Sequence, residues 1–200
     1  GGERCQLYRY GAALGENLRE TGRGKGLVNG VGDGKFAPER PVTRAEFTVM
    51  LVRAWGRGTS ADTSSPYDDV IRGAWYFGEV AAAKELGLLK FVKDDRFRPD
   101  QPLTREEMAG MLAAAMRLEM QSLPKNPSRL TGYRDQADMN PDLINDIRLM
   151  AALGIMIGTG PEQFSPKMKV TRAQAAAVLA RALATLGWID GLQDHDISRS

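Results

Sequence analysis

One stretch of the chain occurs three times, and this repeat limits the possible folds more than any other feature. The copies align without a gap over Gly26–Glu46, Gly87–Glu107 and Gly154–Gln174. The threonines Thr43, Thr104 and Thr171 recur in them at a spacing of about 60 to 70 residues, which is typical of tandem supersecondary units. Such units bury their apolar surface against one another, so we expect one domain built from three similar parts.

Each copy ends with the start signal of an amphipathic helix. The threonine stands three residues before Glu46, Glu107 or Gln174, which is the capping-box pattern. Apolar residues then follow at the i, i+3, i+4, i+7 spacing of one buried helix face. They are Phe47, Met50, Leu51 and Ala54, then Met108, Met111, Leu112 and Ala115, then Ala175, Val178, Leu179 and Ala182. We predict six helices paired within the units, including 44–55, 75–86, 105–118, 141–153 and 172–186, and a core that contains Phe36, Phe97 and Phe164.

An arginine follows each capping threonine, at a place where a helix disfavours positive charge. These residues are Arg44, Arg105 and Arg172. The first turn carries the positive end of the helix dipole, so a purely structural design favours Asp or Glu there. Two explanations remain open at this point. The arginine pairs with an internal carboxylate or packs on an aromatic ring, or it binds an anionic ligand together with the helix-terminal amides.

The sequence around these positions resembles the S-layer homology repeat. The resemblance rests on Gly26–Pro38 with Val42–Glu46, on Tyr67, Asp69, Val70 and Trp75, and on Tyr133 with Asp135. Three such repeats form the usual cell-wall anchoring module of Gram-positive surface proteins. The resemblance implies an all-α fold of three tandem helix-loop-helix repeats, packed as a pseudo-threefold bundle with Gly/Pro-rich loops.

The same resemblance divides the chain into repeats at 1–57, 67–119 and 133–188, followed by a polar tail at 189–200, which together form one compact domain. The first repeat is degenerate over residues 1–25, because the opening aromatic-Asp-Val-Trp pattern is absent and several glycines weigh against a stable helix, namely Gly11, Gly15, Gly22, Gly24 and Gly26. Gly/Pro/Ser-rich connectors separate the repeats.

Composition argues against several function classes. The net charge of +2 is too small to indicate nucleic-acid binding by bulk electrostatics. No apolar run is long enough to insert into a membrane. A single cysteine and a single histidine leave little for a metal site or a nucleophilic triad, so we expect no cofactor, no metal and no enzyme activity. The first residues contain no signal peptide, so an exported protein would have to be a processed or truncated chain; a catalytic domain on a longer parent protein remains possible.

The resemblance implies a non-catalytic module that binds a pyruvylated, anionic secondary cell-wall polysaccharide on the bacterial surface. Its location would be extracellular, in the cell wall or S-layer, as a monomeric module within a larger surface protein. The anion contacts would be Arg44, Arg105 and Arg172, with Asp69, Asp135, Trp75, Gly32 and Gly160 in support. We expect Arg44→Ala and Arg172→Ala to weaken binding without changing the melting temperature.

A helical-repeat protein-interaction or structural module without a glycan ligand is the alternative. In that case the arginines only pair with internal acids. Asp69 and Asp135 would then cap helices, and Trp75 would pack in the core.

Overall fold

The computed structural model describes residues 37–61, 64–123 and 133–189. Within these ranges the protein is helical, and its only β-type pairs are isolated bridges, which confirms the all-α prediction. The helices are α1 (Arg44–Ala54), α2 (Phe77–Glu85), α3 (Arg105–Glu119), α4 (Ile144–Ala152) and α5 (Arg172–Thr185), with short 3-10 turns at Gln136–Asp138 and Pro141–Leu143. The predicted leading helix of the first unit, Phe36, Gly32 and most of the polar tail lie outside the described residues.

Threonine side chains start three of the helices, as the capping pattern predicts. Thr43 and Thr171 form complete capping boxes, in which the N3 side chain also accepts a hydrogen bond from the cap amide. The Thr104 hydroxyl accepts from the Glu107 amide at 3.4 Å, without the reciprocal bond. The carboxylate of Glu107 is instead directed towards Arg44. One capping interaction is therefore exchanged for a contact between units.

Glycines end the two helices for which the sequence predicts them. Gly87 follows α2 with φ 73°, and Gly154 follows α4 with φ 68°, the left-handed conformation typical of the C′ position. The predicted 141–153 helix begins as a 3-10 turn, in which the Asn140 side chain accepts from the Asp142 amide. Only after this turn does the segment continue as α4.

A closed ring of backbone hydrogen bonds joins the three units just before their capped helices. The Val42 N–H donates to the Val170 carbonyl at 2.8 Å. The Leu103 N–H donates to the Val42 carbonyl, and the Val170 N–H to the Leu103 carbonyl, both at 2.9 Å. All three residues are buried. Each unit thus contacts both others through the same short segment.

Two residues further along the chain, the first amide of each capped helix also donates to a neighbouring unit, in the opposite direction around the ring. The Arg44 N–H donates to Gln101 O, the Arg105 N–H to Met168 O, and the Arg172 N–H to Arg40 O, each at 2.9 Å. We call these contacts the first junction (Arg44 with the loop of unit two), the second junction (Arg105 with the loop of unit three) and the third junction (Arg172 with the loop of unit one).

The described helices of units two and three pair with neighbouring units and not with each other inside their own unit, which corrects the prediction of pairs within these units. Helix α1 packs on α2 of the next unit, and α3 packs on α4 of the next unit. Ion pairs accompany both contacts: Arg53 with Glu79 at 3.0 Å, and Arg117 with Asp146 at 2.5 Å. In units two and three, the loop between the two helices is used to contact the preceding unit.

The core contains the predicted apolar stripes. Phe97 and Phe164 are fully buried, as are the methionines Met108 and Met111. The Trp55 indole N–H donates to the Ala115 carbonyl at 3.1 Å, which links unit one to unit two. No helix in the described part of the chain has both the length and the apolar character needed to cross a membrane.

Replacing Thr104 by alanine should destabilise the protein, because the Glu107 amide would lose its side-chain acceptor. We expect a loss of about 0.5–2 kcal/mol in the free energy of unfolding, measured by urea denaturation. Thr104→Ser keeps the hydroxyl and should retain most of the stability. An unchanged midpoint in the alanine variant would contradict the cap.

Candidate functional site

Arg44 is enclosed by protein groups at the first junction. Its Nε–H donates to the Glu107 carboxylate at 2.8 Å, and Nη1 donates to the Phe97 carbonyl at 3.0 Å. The guanidinium also lies over the Phe91 ring, 5.0 Å from its centre. Both Arg44 and Glu107 are buried. This is the internal ion pair and aromatic contact that the sequence left open as the structural explanation.

Arg172 is similarly paired at the third junction. Its Nη1 donates to the Glu46 Oε2 atom, and Arg40 Nη2 binds the same oxygen at 2.7 Å. Burial lowers the pKa of Arg172; the Glu46 charge opposes this effect, and the Arg40 charge adds to it. The Glu46 carboxylate therefore compensates a buried guanidinium and a partly exposed one.

Arg105 differs from the other two arginines at the second junction. Its Nε–H donates to the Phe164 carbonyl at 2.9 Å, and Nη2 donates to the Ile157 carbonyl at 2.6 Å. Its guanidinium lies 4.8 Å from the centre of the Phe164 ring. Among the described residues, no carboxylate forms an ion pair with it. The charge of Arg105 is met by carbonyl dipoles and an aromatic face.

The electrostatic surroundings of Arg105 follow from this arrangement. Burial lowers the pKa of Arg105, while Tyr133 and Asp135 oppose that shift. A cation that is partly desolvated without an ion-paired carboxylate favours a negatively charged guest. Asp135 acts on Arg105 only through its charge, since its two oxygens accept hydrogen bonds from the Phe164 and Ser165 amides.

The helix-terminal amides are occupied at all three junctions, which corrects the expectation that they bind an anion together with the arginine. The N1 amides donate to the loop carbonyls named above. The N2 amides of Ala45, Glu106 and Ala173 donate to Pro99 O, Pro166 O and Pro38 O at 3.0, 3.0 and 3.1 Å. The N3 amides donate to the threonine hydroxyls. An anion at these sites would depend on guanidinium groups.

The two aspartates hold loop backbone in place. Asp69 accepts from the Phe97 and Arg98 amides, both at 2.8 Å. Asp135 accepts from the Phe164 and Ser165 amides at 3.1 and 2.8 Å. Arg98 and Ser165 both have φ 58°, so each carboxylate supports a strained left-handed residue. This replaces the helix-capping explanation offered for the two aspartates.

Trp75 is a surface residue, so the core-packing interpretation is wrong. Its side chain is 60% exposed and contacts Tyr76 edge-to-face, with the ring centres 5.2 Å apart. Asp69 and Trp75 belong to the unit that contacts Arg44. Asp135 and Gly160 belong to the unit that contacts Arg105.

The loop that faces Arg105 depends on a glycine that the sequence interpretation did not select. A Cβ atom on Gly158 would lie 2.4 Å from the Gln163 carbonyl and 2.6 Å from the Tyr133 ring, whereas one on Gly160 would meet no atom within 4 Å. Gly158 is therefore required for close packing of the loop. Groups of three or more potential metal-binding side chains are absent from the described residues.

Comparison with known proteins identifies the repeated unit. The S-layer homology domain matches the chain over residues 23–48, 66–109 and 137–176. The chain belongs to the S-layer homology family. The three matched segments contain all three arginines and their capping threonines, and the first begins at residue 23, near the end of the stretch 1–25 that the sequence marks as degenerate.

Relatives with the S-layer homology repeat include surface proteins and enzymes. An amylopullulanase of Thermoanaerobacterium thermosulfurigenes is 32% identical over 161 residues, which is 80% of this chain and 8% of the relative. An endoglucanase of Bacillus sp. (strain KSM-635) is 33% identical over 159 residues, 78% of this chain and 16% of the enzyme. The S-layer protein sap of Bacillus anthracis is 31% identical over 157 residues, 78% of this chain and 18% of that protein.

The chain thus spans less than a fifth of the length of these relatives. The matched segment is thus shared by an S-layer protein, an amylopullulanase and an endoglucanase. The shared segment supports cell-wall anchoring as the general function and the cell wall as its location.

The sequence interpretation did not identify Glu107 and Glu46 as partners of the arginines, although both residues belong to the repeated motif. Glu107 and Glu46 stand at N3 of their helices, where the sequence assigned them to capping alone. Because each arginine faces the helix of the next unit, the N3 residue that matters is the neighbour's. Only the ring of contacts shows this relation.

Replacing Arg44 by alanine should destabilise the S-layer homology module strongly, because the Glu107 carboxylate would remain buried without its partner. We expect a loss of about 3 kcal/mol or more in the free energy of unfolding. This replaces the expectation of an unchanged melting temperature. Arg96→Ala removes an exposed arginine of the same region and should change stability little; equal effects of the two changes would refute a buried pair.

Removing the Asp135 carboxylate should also reduce stability, because the Phe164 and Ser165 amides would lose their acceptor. We expect Asp135→Ala to cost about 1–3 kcal/mol in chemical denaturation. The exposed Asp138 provides a control on the same segment, and Asp138→Ala should be nearly neutral. If both variants unfold at the parent midpoint, the carboxylate does not hold this loop.

Proposed function

We propose that this S-layer homology module is a non-catalytic cell-wall anchor that binds a pyruvylated, anionic secondary cell-wall polysaccharide at the second junction. The observation that carries the proposal is the state of Arg105, the one junction arginine without an ion pair among the described residues. A carboxylate on the glycan would supply the missing negative charge.

The chemistry of the guanidinium suits such a ligand. Arginine has five N–H donors in a planar fork, and the contacts of Arg105 to Phe164 O and Ile157 O use only part of this capacity. Charge-assisted hydrogen bonds from a guanidinium to a carboxylate are stronger than neutral ones. Partial burial lowers the local dielectric and strengthens the attraction further.

Exposed apolar side chains flank Arg105 and suit the non-polar face of a sugar. Ile157 is 65% exposed and Met168 is 48% exposed, and the backbone carbonyl of each binds Arg105. Asp135 supports this side of the junction by holding the loop, and Gly160 leaves open space where a side chain would stand. A ligand with a carboxylate and C–H surfaces would use both kinds of group.

The other site residues have different parts in the proposal. Arg44 and Arg172 stabilise the first and third junctions through their glutamates. Trp75 remains a proposed stacking surface for a sugar ring, because its side chain is exposed. Gly32 lies outside the described residues and remains a proposed support. The module would act outside the cell, as a monomeric part of a larger surface protein.

A structural or protein-interaction module remains the second candidate, and one observation favours it. Two of the three junction arginines are used for internal ion pairs, as that candidate requires. The two candidates therefore differ in what they predict for Arg105 alone.

Replacing Arg105 by alanine should weaken retention of the module on purified, pyruvate-bearing wall polysaccharide. Loss of a charge-assisted contact of about 1.5–3 kcal/mol corresponds to roughly tenfold or more in the dissociation constant. Arg181→Ala removes the same charge from the exposed face of α5 and should leave binding unchanged. The parent module should bind the ketal-free polysaccharide as weakly as the Arg105→Ala variant binds the intact polysaccharide.

Circular dichroism should show that the Arg105→Ala variant is folded before its binding is compared. Equal retention of parent and Arg105→Ala on the intact polysaccharide would reject the anion contact. Retention of the parent on the ketal-free polysaccharide at full strength would reject the carboxylate as the group recognised.

A further inference from the structure

The three junctions follow one geometric rule with a single exception. The arginine at N1 of each capped helix lies against the next unit around the ring, and at the first and third junctions that unit contributes the carboxylate of its own N3 residue. Arg44 meets Glu107, and Arg172 meets Glu46. The corresponding N3 residue for Arg105 is Gln174. The second junction is therefore the only one of the three in which the N3 position lacks a carboxylate.

The hydrogen bonds of the arginines differ in the way that this exception predicts. Arg44 gives Nη1 to the loop carbonyl of Phe97 and keeps Nε for the carboxylate of Glu107. Arg105 gives Nε to the equivalent carbonyl of Phe164. Both arginines thus contact their loop carbonyl, but only Arg44 also donates to a carboxylate.

Capping and pairing do not exclude one another at the N3 position. Glu46 accepts from the Thr43 amide through Oε1 at 3.2 Å while its Oε2 binds Arg172. Gln174 makes the same capping contact, since its Oε1 accepts from the Thr171 amide at 3.0 Å. Its second polar atom is an amide nitrogen, which donates hydrogen bonds and cannot accept one from a guanidinium.

We propose that Gln174 determines which junction binds the anionic ligand, by capping α5 without neutralising Arg105. This inference rests on the proposed function and adds a specificity-determining residue to it. Gln174 acts through Arg105 and is a positioning residue. A glutamate at this position would give the second junction the closed ion pair of the other two.

The test uses the Gln174→Glu variant of the full chain, with purified pyruvate-bearing wall polysaccharide as the probe. We expect retention to fall at least tenfold and the melting temperature to rise. The rise should disappear when Arg105→Ala is combined with it, because the gain comes from a pair between the two positions. Gln174→Ala, which loses the cap without adding charge, should lower the melting temperature, so that a rise in the glutamate variant is attributable to the added carboxylate.

Each outcome separates the inference from the function on which it rests. Undiminished binding of the Gln174→Glu variant would overturn the inference while the Arg105→Ala comparison still tests the anion contact. Reduced binding without thermal coupling to Arg105 would also overturn it, since the added charge would then repel the ligand from a distance. Failure of the parent chain to bind the polysaccharide would reject the proposed function, and the inference with it.

Discussion

The ring of three backbone hydrogen bonds between Val42, Leu103 and Val170 is the contact on which the rest of the structure depends. Each residue donates to one neighbouring unit and accepts from the other, so the contact is complete only when all three units are present. A buried amide or carbonyl without a partner costs free energy comparable to a lost hydrogen bond. The ring therefore couples the units to one another, and a single repeat could not satisfy these groups alone.

The three junctions beside this ring explain why a cation can occupy the first turn of three helices. The loop of the next unit supplies carbonyls to the N1 and N2 amides, so these amides face protein acceptors and not solvent. Those carbonyls offset part of the unfavourable interaction between a guanidinium and the helix dipole. At two junctions a glutamate from the next unit supplies the remaining negative charge, and the arginine becomes part of the interface between repeats.

The local elements could be predicted from the sequence, and the partners of the arginines could not. Thr43 and Gly87 mark helix boundaries through chemistry that acts within a few residues, so the pattern alone locates them. The contact of Arg44 with Glu107 joins residues 63 positions apart. The contacts of Asp69 and Asp135 could not be predicted for the same reason. They bind amides 28 to 30 positions away that no local motif identifies. Pairing of helices between units was also missed, since sequence proximity favours partners within a unit.

Repetition makes the differences between the copies informative. Three equivalent arginines in equivalent surroundings would have equivalent roles. The sequence contains a Glu/Gln difference at N3, but without the contacts between units this difference cannot be assigned to a particular arginine. The ring of contacts converts a difference between Glu and Gln into a difference in charge: the first and third junctions hold a buried cation with its carboxylate, and the second holds a cation with carbonyls and an aromatic face. A buried pair of opposite charges is largely closed to a further anion, because its field is compensated locally and opening it leaves a charge without a partner. Under the proposed function, the arginine at this helix position stabilises the first and third junctions and leaves the second available for a negatively charged guest.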